Sequence, residues 1–418
     1  MRSRRTILIL ALVALAAAAS VTTAVALGST KKTVTVTFWN AYSSDGPEVQ
    51  HINKVIIPAF EKSHPGIKVQ DVPIPYDDLH QKLVTAVAGG QLPDLVRSDI
   101  IWVPELANLG VLDPLDTDMP DFKSYSSKVF AGPLATNYWK GHYYGLPLDT
   151  NTRIWVYNPK ALSAIGASAP PSTFAQLQSM SAQAKAKGMY LYAEGGLGGW
   201  NILPWIWSAG GSLTNSTFTK ATGYLNSPKS VAGVQMLYNL YKAGEMPGII
   251  VDPNGGTGTY DGIAQKKYVS TLDGPWMFSI FASAYKNTQL AASTIPAGPG
   301  GSISVVGGED IVMTKQSKNK AAALEFMRYL LGTFAQNQMA RAGQMPVLKS
   351  STKWLLKIHP YYATYLKQIA TARPRTPTPK WTQIDSVLQT EVTKAFKGQE
   401  SVQDALTNAA KQIDGLLQ

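Results

Sequence analysis

Residues 33–39 read TVTVTFW, and the polar run NAYSSDGP occupies 40–47 behind them. Val34, Val36 and Phe38 alternate with threonines at the period of two that marks a strand with one buried face, so the polar run is the loop at its end. Downstream, Val49, Ile52, Val55, Ile56, Ala59 and Phe60 recur at three and four residues, the spacing of a helix stopped by His64, Pro65 and Gly66. A second strand is expected over Ile67–Val72, a helix over Asp77–Ala88 ending at Gly89 and Gly90, a short strand over Asp94–Ser98, and a helix through Leu109. Strand, helix, strand, helix is the order of βαβ units, which places the chain in the α/β class with a mostly parallel sheet. The pattern resumes after Tyr157, with Thr173 and Gln176 opening a helix and Tyr190–Ala193 as a strand. The last hundred or so residues are mainly helical, including 321–342 and a final helix opened by Ser401 with Asp404 three residues on.

The 418 residues, 45% apolar and 16% charged, suffice for two or more globular cores and show no low-complexity tract or internal repeat. The cysteine count is zero, which excludes disulfides, thiolate nucleophiles, iron–sulfur clusters and a lipid-modified N-terminal cysteine. The net charge of +11 is spread without an Arg-rich stripe, so nucleic-acid binding is not expected. Arg2, Arg4 and Arg5 precede an apolar run from Ile7 that reaches Leu27 through an A-x-A ending at Ala24–Ala26. Residues 1–27 therefore read as an export signal or an uncleaved N-terminal anchor, and no later segment is long and apolar enough to span a membrane.

Neither a G-x-S-x-G elbow, nor a P-loop, nor H-E-x-x-H is present, and the glycine-rich stretches read as loops. The five histidines are isolated, so no metal site, cofactor or catalytic group is expected. The 10 Trp and 19 Tyr outnumber the 11 Phe, a preference for rings with both an apolar face and a polar edge. A pyranose asks for that combination, with C–H groups on its face and hydroxyls around its rim. Trp39 ends the first strand, with Asp45 and Glu48 in the loop and helix start beyond; Asp99 follows a strand as a helix cap or a ligand contact. Trp200 lies in a Gly-flanked loop and Trp276 in DGPW behind Asp273, while Gly307 and Gly308 form an expected turn that brings Glu309 and Asp310 forward.

In this order, FEKSHPGIKVQ, LVTAVAGGQLPDLV, YYGLPLDTNTRIWVYNPKAL, DGIAQKKYVSTLDGPWMF and VGGEDIVMTKQSKNKAAALEFMRYLL make the chain resemble the extracellular sugar-binding proteins of ABC importers, the group that includes the maltose-binding protein. The resemblance implies a two-lobed, type II periplasmic-binding-protein-like fold with the ligand cleft between the lobes. One lobe would be 33–150 plus 305–344, the other 151–304 plus 345–418. The chain would cross between them near Asp149–Asn151, Val305–Gly308 and Gln344–Val347. Position by position, the resemblance puts Trp39, Asp45, Asp99 and Glu309 on the first wall, and Trp200 and Trp276 in stacking roles. Asn151, beside Arg153, falls where the maltose-binding protein has a carboxylate, and Trp381 lies in a region that supplies a further ring.

A hinged protein signals occupancy when a ligand that touches both lobes favours the closed state. The expected function is therefore capture of a di- or oligosaccharide by a monomer that hands it to a membrane permease, with Asp45, Asp99, Arg153, Asp273 and Glu309 replacing the water around its hydroxyls. Two alternatives remain open on the residues: a secreted carbohydrate-active enzyme using Asp149 with Glu309 or Asp273 with Asp310, and a receptor for a polyamine, peptide or other non-sugar solute.

Overall fold

The computed structural model describes residues 33–42, 46–252 and 255–418; the expected leader 1–27 and Asp45 lie outside the described residues. Its strands are β1 Val34–Asn40, β2 Ile67–Pro73, β3 Leu95–Asp99, a small hairpin of β4 Tyr138–Trp139 and β5 His142–Tyr143, β6 Gly145–Thr152, β7 Ile154–Tyr157, β8 Tyr190–Tyr192, β9 Tyr268–Asp273, β10 Ala291–Ser293, β11 Val306–Met313 and β12 Met345–Pro346. They assemble into a six-stranded sheet, β12-β6-β11-β3-β1-β2, and a four-stranded sheet, β10-β7-β9-β8, each flanked by helices. The α/β expectation holds.

The expectation of mostly parallel sheets is corrected in one respect. β1 pairs with β2 and β3 in parallel, as βαβ units require, and β8 with β9 likewise. By contrast β11 runs antiparallel to both β3 and β6, β12 antiparallel to β6, and β7 antiparallel to β9 and β10. The reason is the path of the chain: β6 leaves the six-stranded sheet and β11 returns to it, and an outgoing strand beside an incoming one must point the opposite way.

The alternation read in TVTVTFW sets the packing. Val36 and Phe38 enter one apolar cluster, where the Phe38 ring meets Phe326 edge-on at 5.7 Å, while Trp39 packs into the cluster on the other face of the sheet. The four-stranded sheet is likewise covered on both faces, by one cluster around Trp155, Tyr192 and Trp205 and another around Ile154, Val156 and Phe281. Local signals fell where expected. Helix Tyr76–Gly89 ends with Gly90 at φ 65°, Thr173 Oγ1 accepts from Gln176 N at 3.2 Å, and Ser401 Oγ from Asp404 N at 3.0 Å. The helix expected over 49–60 is longer and contains a π turn at Ile52–Ile56, and the stretch 321–342 is two helices, Lys320–Leu330 and Thr333–Ala342, parted at Gly332.

Candidate functional site

β6 ends in the six-stranded sheet at Thr152, and β7 begins in the four-stranded sheet at Ile154, leaving Arg153 as the single residue between them. β11 starts alongside, with Val306 opposite Thr152 and Gly307 opposite Asn151. The glycines are not a turn, as the sequence suggested, but the second and third residues of this strand. Gly308 sits at φ +136°, and a Cβ there would lie 2.6 Å from the Asp149 carbonyl oxygen, so only glycine lets the two crossing strands come this close. The register then shifts between Glu309 and Asp310, a bulge that sends the two carboxyls to different surroundings. Asp310 is wholly buried among Asn137 and Thr136, whereas Glu309 turns towards Arg97.

Arg97, on β3, is the centre of a charged wall. Its Nη2 lies 3.1 Å from Asp149 Oδ2 and 2.7 Å from Glu309 Oε2, and its guanidinium covers the Tyr42 ring at 4.3 Å. Glu48 is buried beside them and accepts from Gln344 Nε2 at 3.2 Å. Burial pushes the Glu48 carboxyl above its usual range, and burial with the neighbouring Asp149 holds Glu309 well above it despite the opposing pull of Arg97. At the end of β3, Asp99 Oδ1 accepts from Ile101 N at 2.9 Å, its Oδ2 accepts from the Tyr76 hydroxyl at 2.7 Å, and Arg375 Nη2 approaches Oδ1 at 3.2 Å. The cap reading for Asp99 is thus partly right: it closes the turn after the strand and also carries an ion pair reaching across to 373–377.

Two tryptophan rings lie at the same crossing, that of Trp200 against Gly307. Trp200, the second residue of helix Gly199–Ser208, and Trp276, the first of helix Trp276–Ala284, are half-buried with centroids 6.4 Å apart and planes 27° from parallel. The Arg375 guanidinium lies 5.4 Å from the Trp200 ring and that of Arg153 lies 5.7 Å from it. Arg153 donates to the Trp200 carbonyl at 3.0 Å, to Glu194 Oε1 at 2.8 Å and to the Leu272 carbonyl. Asp273 accepts from the Tyr260 hydroxyl at 2.6 Å and from Gly274 N at 2.7 Å, and burial pushes its carboxyl up to about 6. Gly274 is required here too, because a Cβ would strike the Trp276 ring folded back over it.

Asn151 joins the rings to the charged wall. Its Oδ1 is buried without a hydrogen-bond partner, and it lies where a Cβ on Gly307 would sit, beside the Trp200 ring edge. Of the residues singled out from the sequence, Glu48, Asp99, Asn151, Arg153, Trp200, Asp273, Trp276, Gly308 and Glu309 therefore gather around the crossing strands. Of two others, one lies apart and one is buried behind the site, 5.9 Å from the Arg375 guanidinium. Trp39 lies under the helix Tyr76–Gly89, with the Lys82 ammonium 4.6 Å above its ring, and Trp381 is 1% exposed in the core of the four-stranded unit. Sequence reading missed Tyr42, Arg97, Glu194 and Arg375. Arg97 had one available signal, a lone guanidinium inside the short strand LVRSD, but its two carboxylate partners are 52 and 212 residues away in the chain.

A cavity of about 520 Å³ adjoins the crossing strands, lined by Ile101, Thr150, Val306, Leu355, Ile369 and Arg375. The space is mainly apolar; Arg375 borders both it and the Trp200 ring, and none of the carboxyls of the charged wall lines it. Among the described residues no cluster of His, Asp and Glu has the make-up of a metal site, and no helix is long and apolar enough to cross a membrane.

The model of the bacterial extracellular solute-binding proteins matches residues 43–337. The chain belongs to that family. A putative binding protein of Brucella abortus is 26% identical over 392 residues, covering 89% of this chain and 90% of its own. A maltotriose-binding protein of Pyrococcus abyssi is 35% identical over 101 residues, 24% of this chain and 21% of its own. Among solved structures, the GacH receptor of Streptomyces glaucescens, determined unliganded and with acarbose, superimposes with a TM-score of 0.84 at 22% identity, covering 92% of this chain and 98% of that one. A solute-binding protein of Thermotoga lettingae bound to α-D-tagatose gives 0.83 at 24%, covering 92% and 100%. These likenesses establish the two-lobed fold of this family member.

Proposed function

We propose that this solute-binding protein captures a sugar, a di- or oligosaccharide, between its two lobes and delivers it to the permease of an ABC importer. The observation that carries the reading is the pairing of Trp200 and Trp276 near a buried group of carboxyl, amide and guanidinium side chains, at the place where the chain passes between its two sheets. Flat rings receive the C–H face of a pyranose, and the polar wall replaces the water stripped from its hydroxyls. Its structural likeness to receptors determined with acarbose, maltose and tagatose supports a carbohydrate over a peptide or polyamine. In this reading 33–150 plus 305–344 form one lobe and 151–304 plus 345–418 the other, with β12 at the third crossing, and Glu48, Asp99, Asn151, Arg153, Asp273 and Glu309 contact ligand alongside the two rings. The protein works outside the cytoplasm as a monomer, exported by residues 1–27.

Closure is the mechanism. The Asp99–Arg375 pair joins β3 to the segment that packs on Trp200, and in this reading it favours the state in which the walls are together. A ligand that bridges charge wall and ring wall adds to the same closed state, and the shift in population is what a permease reads.

The enzyme alternative needs two carboxyls facing one another across a bond. Asp149 and Glu309 instead stand side by side on one guanidinium, and Asp310 is held away from Asp273 by Asn137 and Thr136. The test is a titration of the chain from residue 28 onward with neutral and amine-bearing sugars of one to six units, with the bound sugar recovered afterwards. Saturation with one sugar class, recovered whole, is the expected result; absence of binding by every sugar, or recovery of cleaved product, overturns the reading.

A further inference from the structure

The charged wall holds more negative groups than it can balance. Glu48, Asp149 and Glu309 surround one guanidinium, that of Arg97, and Tyr42 faces all four of these groups. Arg153 is committed to Glu194 and Arg375 to Asp99, so neither supplies the missing positive charge. Buried carboxylates without counter-charge are expensive, and like charges sharing a site cannot all ionise.

A second feature points to what completes the wall. Asp149 Oδ1 and Asn151 Oδ1, two residues apart and thus on one face of β6, are both buried and both lack a hydrogen-bond partner. Asn151 Oδ1 lies against the Trp200 ring edge, so the unused acceptors lead from the carboxyl cluster to the stacking rings. What is absent is a donor carrying positive charge, placed within a sugar's length of an aromatic pair.

Resting on the sugar-receptor reading above, we infer that the captured sugar carries a basic nitrogen: an amino sugar, or an oligosaccharide with an amine in its linkage. Its ammonium group sits among Glu48, Asp149 and Glu309, with Asn151 Oδ1 accepting one of its hydrogens or that of an adjacent hydroxyl, and its ring stacks on Trp200 and Trp276. Burial and the neighbouring Asp149 raise the Glu309 carboxyl well above its usual range, the direction expected where like charges crowd one guanidinium. An ammonium attracts all three carboxyls at once, and its pairing is a charge-assisted bond stronger than any neutral hydroxyl makes there.

The experiment is calorimetric titration at pH 7 of the intact chain from residue 28 onward with matched pairs: glucose against glucosamine, cellobiose against the β-1,4 dimer of glucosamine, and maltose against an analogue whose linking oxygen is a secondary amine. Putrescine serves as a plain diamine. The expected result is that one amine-bearing sugar binds at least about tenfold more tightly than its neutral partner, and that Glu309→Gln removes most of that preference. Glu48→Gln is the second variant if Glu309→Gln does not fold. A neutral sugar binding as tightly as its amine partner overturns this inference and leaves the sugar receptor standing. Binding of putrescine alone, or of no member of any pair, overturns both.

Discussion

The six-stranded and four-stranded units meet the same cleft with different chemistry. The first contributes ion pairs on strands, Arg97 with Asp149 and Glu309, all fixed by register in the middle of a sheet. The second contributes rings at helix starts, Trp200 and Trp276, mounted where a loop meets the first turn. Strand-borne charges are rigid and directional, which suits them to fix a ligand's orientation. Rings on helix starts offer area with little directional demand, which suits them to grip a sugar face whatever its hydroxyl pattern. Affinity is thus expected to reside mainly with the rings, and discrimination with the charges.

The sharpest way to break the contrast is Arg97→Ala, which strands Asp149 and Glu309 in the sheet without a counter-ion. A loss of about 3–5 kcal/mol of stability is expected in urea unfolding, and a loss under 1 kcal/mol would show that the wall is hydrated and not a fixed ionic layer. Trp276→Ala should leave folding intact, because the ring is only half-buried, yet remove about 2–4 kcal/mol of sugar affinity in calorimetry. If it destabilises the fold instead, the ring wall is core and the division of labour fails.

Asp273 sharpens the comparison through pH, since it is a carboxyl placed on the ring side. Its folded-state pKa of about 6 lies above the value of about 4 that an unfolded chain gives. The folded state therefore binds that proton more tightly, and the stability it contributes is full below pH 4 and lost as pH rises through 6. Across pH 4 to 7.5 the ligand-free wild type should lose about 2–3 kcal/mol relative to Asp273→Asn, read as diverging melting temperatures. Parallel curves would mean that Asp273 is ionised throughout. The smallest effect belongs to Arg375→Gln, which removes the ion pair to Asp99 but lets the walls part and rehydrate the carboxylate. Small-angle scattering should show a larger ligand-free radius of gyration, with affinity lower by about 1–2 kcal/mol; an unchanged radius would exclude the pair as a contributor to closure.

Much of this was legible beforehand because it rests on local signals. Alternation in TVTVTFW, the Gly90 stop, the caps at Thr173 and Ser401 and the DGPW corner each act within a few residues. The rings of the second wall were found because they stand beside glycines, where a core tryptophan is out of place. The same cue misled for Gly307 and Gly308, which looked like a turn and are the close contact of two strands. Trp381, to which only the resemblance pointed, is 1% exposed, its ring 5.9 Å from the Arg375 guanidinium.

The sequence by itself determined the α/β class, the strand and helix order, and which ring and glycine positions are unusual, because those follow from periodicity and backbone preference within one turn or one strand. The tertiary structure alone decided the mixed strand directions, the cavity beside Arg375 and the Arg97 cluster. The Arg97 cluster depends on β11, which begins 154 residues after β6 ends, returning to lie between β3 and β6. A charge looks solvated or buried in the sequence alike; only the return of that strand removes the water and gives Arg97 its partners.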